Sequence, residues 1–468
     1  MDILETTYDC IVVGAGILGC STAKYLMEKH PNWKVLLVDK YLAPGQGNTI
    51  KSNAAYRNIF DTGLNIHLAK ASVDYYKSIQ NSGIDLGLKE IGYLWLLSKL
   101  QYEQRMQPTI DHPEISGKKI SLIDFLDYNS IGYKIYSKQE LQELLPELKT
   151  DFTTGEMDDE GIKLPLVDID HGLQGIECGS LSPDLLVKYY ESEFRKLGGN
   201  TLYSTIVLEI LLKEKDKEFD VDYIHTVWRD SEIGGIRIKD QDTEKISIIR
   251  TKKLLVATGA WINQLLDPLG INSTIKPKKR QLFRIFNMDS FVAKQNFNSL
   301  NTFPFLILPV GGIFIKPIEN ANAVDVGCSD DISRRFESTR VGSTDILNSP
   351  LDNPKGEQEF FSINLFPVLQ KYFPDVFNDN LDMETPSAGM YAYSSDKFPV
   401  IDHISSLGNL YFVSGASGSG IMKADSIARI CSALVSNEKT ANLFNKKEIR
   451  IADFSVSKRN LPKETLVL

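Results

Sequence analysis

The sequence predicts a protein of α/β and α+β character, in which a parallel sheet wound with helices is interleaved with an antiparallel sheet. Three observations predict it. Strand, glycine turn and helix follow one another at residues 9–30, 253–266 and 409–435, at the start, middle and end of the chain. Between the last two, residues 277–329 carry short apolar runs separated by turns with no helical period between them, the pattern of an antiparallel sheet. The 468 residues are enough for two domains, each with a core of its own.

The first unit is the most informative. Cys10–Val13 reads as a buried strand that runs into Gly-x-Gly-x-x-Gly at Gly14, Gly16 and Gly19. A helical pattern follows, with apolar or small residues at Ile17, Leu18, Cys20, Ala23, Leu26 and Met27, and ends before Pro31. A second buried strand, Val35–Val38, ends at Asp39. In a Rossmann-like unit the first glycine permits the tight turn. The second lets a pyrophosphate approach the backbone, and the third lets the helix pack on the strand. The helix N-terminus favours phosphate. Asp39, twenty residues past Gly19, stands where a carboxylate meets the adenosine ribose. A dinucleotide is therefore expected, with Gly14, Gly16, Ile17, Leu18, Asp39 and Lys40 around it. The alternative is a glycine-rich turn without a ligand.

Tyr41–Phe60, Gly47 included, is rich in small and polar residues and is expected to wrap the cofactor. Asn65–Gln80 has the apolar stripe of an amphipathic helix. Ile91–Leu97 reads as a strand and residues 101–160 as a polar helix-loop excursion. A helix starts at Pro183, with Ser182 as N-cap, and runs to about Leu197. Thr201–Ile210 reads as one strand, and Lys213–Glu244 as two exposed strands with a long loop. A buried strand beginning at Lys253 ends in Thr258-Gly259, before a short helix through Leu266. Strands are expected at Arg280–Phe286, Phe305–Leu308, Gly312–Lys316 and Ala323–Gly327, and a proline-broken helix at Leu365–Val376. The chain then returns to strand Leu410–Val413, the turn Gly415-Ala-Ser-Gly-Ser-Gly and helix Ile421–Val435.

The opening motif serves NAD and FAD alike. The unit ending Ala257-Thr258-Gly259-Ala260 and the glycine turn before the last helix favour FAD, whose ring needs an anchor far from its adenine. Gly415, Gly418, Ser419, Gly420, Ile421, Met422 and Lys423 are expected at that anchor, with the N–H groups of Ser419–Ile421 facing the flavin pyrimidine edge. Negative charge grows there on reduction, so a helix N-terminus and Lys423 would stabilise the reduced form.

Composition excludes several classes. The net charge of 52 − 61 = −9 argues against nucleic acid as a partner. No apolar run approaches the about 20 residues of a membrane span, although peripheral contact with a membrane stays open. The N-terminus lacks the cationic and apolar parts of a secretory signal. The five cysteines form no Cys-x-x-Cys pair and suit a reducing compartment, so a cytoplasmic location is expected. The six histidines show no metal-ligand spacing. Asp168-Ile-Asp170-His171 reads as a solvated acidic loop, and no metal is expected.

The order of these pieces resembles the D-amino-acid oxidase superfamily of FAD-dependent oxidoreductases over nearly the whole chain. Within it, the closest resemblance is to the archaeal dye-linked L-proline dehydrogenases. It is carried by Ala43-Pro-Gly-Gln-Gly, Ser52-Asn-Ala-Ala-Tyr-Arg-Asn-Ile-Phe, Asp85-Leu-Gly-Leu with Gly92-Tyr-Leu, Pro277-Lys-Lys-Arg-Gln-Leu-Phe-Arg, Ser417-Gly-Ser-Gly-Ile-Met-Lys-Ala-Asp-Ser-Ile and the final Leu466-Val-Leu. The resemblance implies an FAD-binding domain of residues 1–85, 165–275 and 380–468. Residues 86–164 and 276–379 would form a substrate domain whose antiparallel sheet roofs the flavin. It implies that Val207 offers backbone groups to the adenine, that Ala257, Thr258 and Gly259 line the cofactor, and that Thr49, Ser52 and Arg57 run beside the pyrophosphate and flavin.

The activity implied is removal of two electrons from the C–N bond of an amino acid or secondary amine, with L-proline the first choice. The electrons would pass to an acceptor other than NAD. A substrate carboxylate needs a cation, preferably a bidentate one. Arg57 is the first candidate, and Arg280 or Arg284 the second. Tyr391 and Tyr393 are candidates for hydrogen bonds to substrate, against plain aromatic packing. No general base stands out. Monomeric sarcosine oxidases attach flavin through a cysteine where this chain has Gly389, so non-covalent FAD is expected. They also place a lysine over the flavin to assist oxygen, where this chain has Asp325, which favours a dehydrogenase. Leu466–Leu468 would either fray or fold over the site. Alternatives are a sarcosine or dimethylglycine oxidase, a 2-hydroxyacid dehydrogenase, or a non-catalytic flavoprotein that assists assembly of a respiratory complex. A homodimer is compatible with the sequence.

Overall fold

The computed structural model describes residues 2–111, 117–152, 163–220, 231–297, 302–318, 321–329, 349, 351–459 and 461. A six-stranded sheet forms the centre of the nucleotide-type half. Its order is Asn200–Leu202, Val35–Val38, Cys10–Val13, Leu254–Val256, Leu410–Ser414 and Val400–His403. The first five strands are mutually parallel and the last is antiparallel. Both faces are covered, and the side-chain alternation of a strand divides each run between two cores. Cys10, Val12, Val35, Leu37, Leu255, Tyr411 and Val413 join the core under helices Ile17–Lys29, Gly63–Asn81, Pro183–Lys196 and Gly420–Val435. Ile11, Val13, Leu36, Val38, Leu254, Val256 and Phe412 face a second, four-stranded sheet. The chain winds away from Cys10–Val13 in both directions, so the order reverses between that strand and Leu254–Val256. A doubly wound sheet binds ligand beyond the carboxyl ends of its strands at such a place.

An eight-stranded sheet lies over this half, in the order Ser387–Tyr393, Lys276–Phe286, Ala323–Gly327, Phe314–Ile318, Phe305–Ile307, Tyr93–Leu97, His171–Gly175 and Tyr133–Ser137. All neighbours are antiparallel except Phe305–Ile307 with Tyr93–Leu97. Leu94, Leu96, Phe283, Ile285, Leu306, Ile315, Val324 and Val326 form its outer core with Phe360, Phe361, Leu365, Val368 and Leu369. Those last residues belong to helices Gln358–Asn364 and Phe366–Tyr372, with Leu365 at the junction between them.

Several expectations are corrected. Thr201–Ile210 is two strands. Asn200–Leu202 belongs to the parallel sheet, Ser204 turns the chain at φ 49°, and Thr205–Glu214 starts the four-stranded sheet. Its partner Ser231–Asp240 is largely buried, not exposed, because the central sheet covers it. Ser182 is the N-cap residue and Pro183 opens the helix, as expected, but the Ser182 hydroxyl bonds the Asp184 side chain and not a helix N–H. His171–Gly175 and Ser387–Tyr393 lie in the roof sheet, so boundaries at 165 and 380 cut that sheet. The excursion at 101–160 supplies an unexpected edge strand, Tyr133–Ser137. The final Leu466–Leu468 lies outside the described residues.

Candidate active site

One cavity runs from the carboxyl ends of Cys10–Val13 and Val35–Val38 to the N-terminus of helix Gly420–Val435. Its walls include Gly14, Gly16, Ile17, Leu18, Asp39, Lys40, Gly47, Thr49, Ser52, Val207, Ala257, Thr258, Gly259, Tyr391, Gly415, Gly418, Gly420 and Ile421. Residues from six separated stretches of chain thus meet where the sheet order reverses.

At one end the Asp39 carboxylate is held by backbone. Its Oδ2 accepts from the N–H of Ala15 at 2.6 Å and its Oδ1 from Tyr41 at 2.8 Å. Burial pushes its carboxyl up while those two N–H bonds pull it down. Gly14 has φ 104°, and a Cβ there would lie 2.7 Å from the carbonyl oxygen of Ala257, so the wall is bare backbone for a physical reason. Thr49 Oγ1 accepts from Ile17 N–H at 3.0 Å, tying the wrapping segment to the first helix. Lys40 and Trp261 share Asp352: the ammonium pairs with its Oδ1, and the indole donates to the same atom at 2.6 Å.

At the other end the glycine turn is stitched to the roof. Ser417 N–H donates to Ala392 O at 3.0 Å, and Gly418 lies so close that a Cβ would meet the Tyr391 ring at 2.6 Å. Asn48 clamps the same strand reciprocally, donating to Met390 O at 2.5 Å and accepting from Met390 N–H at 2.8 Å. The helix beginning at Gly420 opens onto the cavity, where its first N–H groups have no partner within the helix. Thr258 Oγ1 is buried in the cavity wall without a hydrogen-bond partner among the described residues. Glycine walls at both ends, an acid at one and a helix N-terminus at the other fit an extended flavin adenine dinucleotide.

Three residues expected at the flavin anchor do not line this cavity. Ser419 N–H is consumed by Ala416 O at 2.9 Å. Met422 packs in the core beneath. Lys423 is buried and points back, donating to Asn65 at 2.7 Å and Ser419 Oγ at 2.8 Å. Helical geometry explains it, since only the first residues of the helix face the ring end. The Lys423 ammonium is therefore held at the N-cap of its own helix by Ser419.

The candidate substrate residues are also sorted. Tyr391 lines the cavity, whereas Tyr393 is buried beside it with ring centres 6.1 Å apart. Arg280 bonds Cys328 O, with its guanidinium 5.5 Å from the Tyr391 ring. Arg284 is not available to a substrate, because it grips Asp325 through two hydrogen bonds of 2.9 and 3.1 Å. Arg57 is buried; it donates to Ile59 O at 2.8 Å and lies 4.3 Å over the Phe60 ring and 5.7 Å from Trp95.

The sequence reading missed Lys316. It sits opposite Asp325 on the next roof strand and donates to Asn53 O, in the wrapping segment, at 2.6 Å. Asp325 is therefore accompanied by an ammonium, not alone. Burial lowers Lys316 to about 8, with Asp325 opposing the fall. The folded chain then holds this proton less tightly than the unfolded one. Relative stability is lowest below pH 8 and rises as the unfolded lysine alone stays charged, up to about pH 10.5. The unfolding free energy of the protein minus that of Lys316→Met is expected to rise by about 3 kcal/mol between pH 7.5 and 10.5. A flat difference in denaturant titrations would refute the buried charge.

Asp168, Asp170 and His171 hold no cluster. Asp168 accepts from Phe152 N–H at 2.8 Å, and His171 pairs with Asp170 at 2.7 Å and stacks on Tyr102. Among the described residues no group of three His, Cys, Asp or Glu could hold a metal, and no helix is long and apolar enough to cross a membrane.

Comparison with known proteins agrees with this geometry. The family model described as FAD dependent oxidoreductase matches residues 9–434. The chain is 21% identical to FAD-dependent oxidoreductase domain-containing protein 1 of Xenopus laevis, over 94% of this chain and 82% of that one. It is also 21% identical to human peroxisomal sarcosine oxidase, over 90% of each. Among solved structures, L-proline dehydrogenase of P. horikoshii superposes with a TM-score of 0.67 at 19% identity, covering 97% of both chains. Glycine oxidase of Geobacillus kaustophilus gives 0.67 at 15%, covering 97% of this chain and 100% of that one.

Proposed function

Because this chain belongs to the DAO family of FAD-dependent oxidoreductases, we propose that it oxidises the C–N bond of an amino acid or secondary amine, with L-proline the first choice. The observation that carries this reading is the cavity joining Asp39 to the Gly420 helix end beneath the roof strand Ser387–Tyr393; Arg57 is buried and is not among the residues that line it. FAD, when bound, accepts the two electrons.

The chain's own work is binding, orientation and exclusion of water. Gly14, Gly16 and the first helix would hold the pyrophosphate, and Asp39 the ribose. Val207 and its neighbours would hold the adenine, with the Gly415–Gly420 turn at the ring edge. Arg57 is assigned to the substrate carboxylate, its plane fixed by Phe60 and Trp95. Tyr391 would position the substrate amine from the roof. The cofactor is held without a covalent bond in this reading, since Gly389 offers no thiol. The acceptor is a carrier other than NAD, and the location is cytoplasmic.

The test is anaerobic mixing of the yellow protein with L-proline, sarcosine, glycine and a 2-hydroxy acid, followed by flavin absorbance. Bleaching by proline supports the reading. Bleaching by another amine moves the substrate within the class. Bleaching by the hydroxy acid, or by nothing, rejects it, and bound FAD that no substrate reduces marks a non-catalytic flavoprotein. Arg57→Lys, which loses the planar fork, should raise the substrate concentration for half-maximal bleaching roughly 100-fold. An unchanged value would remove Arg57 from substrate binding.

A further inference from the structure

Strand Ser387–Tyr393 is the edge of the roof sheet, with Lys276–Phe286 as its neighbour on one side. An edge strand turns alternate backbone groups outward, where they need partners of another kind. Here those groups are met one after another. Met390 N–H donates to Asn48 Oδ1 at 2.8 Å, and Met390 O accepts from Asn48 Nδ2 at 2.5 Å. Ala392 O accepts from Ser417 N–H at 3.0 Å, and Ser394 N–H donates to Ser417 Oγ at 3.2 Å. Tyr391 therefore stands between two ties, with its ring against Gly418. The second tie belongs to the glycine turn. The first is a single side chain, whose carbonyl and amide do what a neighbouring strand would do.

Asn48 is itself fixed from behind. Thr49, next along the chain, accepts from Ile17 N–H at 3.0 Å, at the start of the first helix. Gly45 N–H donates to Ala15 O at 2.8 Å, and Ile50 N–H to Gly45 O at 3.0 Å. The close approach to the roof passes over Gly389, where a Cβ would lie 3.4 Å from Asn48 Oδ1. Gly47, Asn48, Thr49, Met390 and Tyr391 all line the cavity.

We propose that Asn48 is the positioning residue that holds Tyr391 at the ring end of the cavity, so that the wrapping segment and the roof edge are set as one unit. The inference rests on the proposed function for where the flavin ring lies and for the role of Tyr391. A strand side chain is aimed by its own backbone, and Met390 is the residue next to Tyr391. Without Asn48 the outward edge at Met390 is left to water, and Tyr391 loses the tie on its N-terminal side.

The test reads the flavin and does not depend on turnover. A phenol close to an excited flavin shortens its fluorescence lifetime by lending an electron that returns at once, and the effect falls steeply with distance. Lifetimes are measured on the FAD-loaded parent and on Tyr391→Phe, Asn48→Ala and Asn48→Asp. Asn48→Asp keeps the size of the side chain but turns a second acceptor toward Met390 O. Tyr391→Phe should lengthen the lifetime, and so should both Asn48 variants, with FAD still bound. In the Tyr391→Phe background the Asn48 replacements should add nothing, because both act through one ring. An unchanged lifetime in the Asn48 variants or in Tyr391→Phe overturns the proposal. So does an equal lengthening with and without the Tyr391 hydroxyl, which marks general loosening. Loss of FAD from both Asn48 variants also overturns it, making Asn48 a cofactor contact. With an amine that bleaches the parent, Asn48→Ala should lower the limiting bleaching rate roughly tenfold or more and change the half-saturating concentration less. An unchanged limiting rate overturns the positioning role. If no amine bleaches the parent, the proposed function is rejected and the lifetimes still judge the Asn48 tie.

Discussion

Gly19→Ala is expected to give a colourless and destabilised protein. A Cβ at Gly19 would lie 1.8 Å from the carbonyl oxygen of Gly14 and 3.0 Å from its carbonyl carbon. Both are backbone, so no side chain can swing aside. The helix Ile17–Lys29 would have to lift from the turn that it presents to the phosphates. Overpacking of this kind costs about 1–3 kcal/mol or more. Gly16→Ala is the informative contrast. A Cβ there meets only Thr49 Oγ1, at 3.4 Å, an ordinary contact. The cofactor-free Gly16→Ala protein should melt as the parent does, yet it should bind FAD far more weakly, because the methyl fills the space of the pyrophosphate. Melting curves with and without added FAD, and the ratio of flavin to protein absorbance, read both variants. Yellow Gly19→Ala protein with an unchanged melting temperature would mean that the turn is looser than described. Gly16→Ala protein with full FAD affinity would move the pyrophosphate elsewhere.

Asp425→Ala should be the most damaging replacement away from the cavity. Asp425 is fully buried on the helix whose N-terminus faces the ring end. Its carboxylate accepts from the hydroxyls of Tyr25 and Tyr190, the latter at 3.1 Å, and from Arg429 Nε at 2.7 Å. Burial pushes its carboxyl up, while Arg429 and the Tyr25 hydroxyl pull it down. Removing the carboxylate strands two phenols and a guanidinium inside the packed helices. The expected cost is about 3–5 kcal/mol, the usual range for breaking a buried pair by one partner. Urea titration followed by circular dichroism measures it, and flavin release should accompany the unfolding. The double replacement Asp425→Leu with Arg429→Met should recover much of the loss, because no charge is left unpaired. A loss below about 1 kcal/mol for Asp425→Ala would show that water reaches the site and solvates the stranded groups.

The parts of the fold that could be read without coordinates are those written in contiguous residues. Cys10–Val13, the helix Ile17–Lys29 and Val35–Val38 were legible because apolar runs, glycines and Pro31 all lie within thirty residues. The break within 200–214 was not legible. Nothing in Thr201–Ile210 shows that Ser204 turns with positive φ and sends the two halves to different sheets. Lys423 was misplaced for a similar reason. Its position in the motif says that it is near the helix start, but the rotation of the helix decides that its ammonium meets Asn65.

The amino-acid sequence by itself determined the nucleotide-binding units, their order and the interleaving with an antiparallel sheet, because each unit is a local pattern of burial and turn chemistry. Tertiary structure alone decided which charges and hydroxyls face the cavity. Arg284 is spent on Asp325, Lys316 reaches Asn53, and Tyr93 stacks on Phe305 only through the pairing of strands far apart in the chain. A slip of one residue in that pairing would turn each of them to the opposite face of the sheet. The pairing itself is held by the packed outer core under helices Gln358–Asn364 and Phe366–Tyr372, which no short stretch of sequence displays.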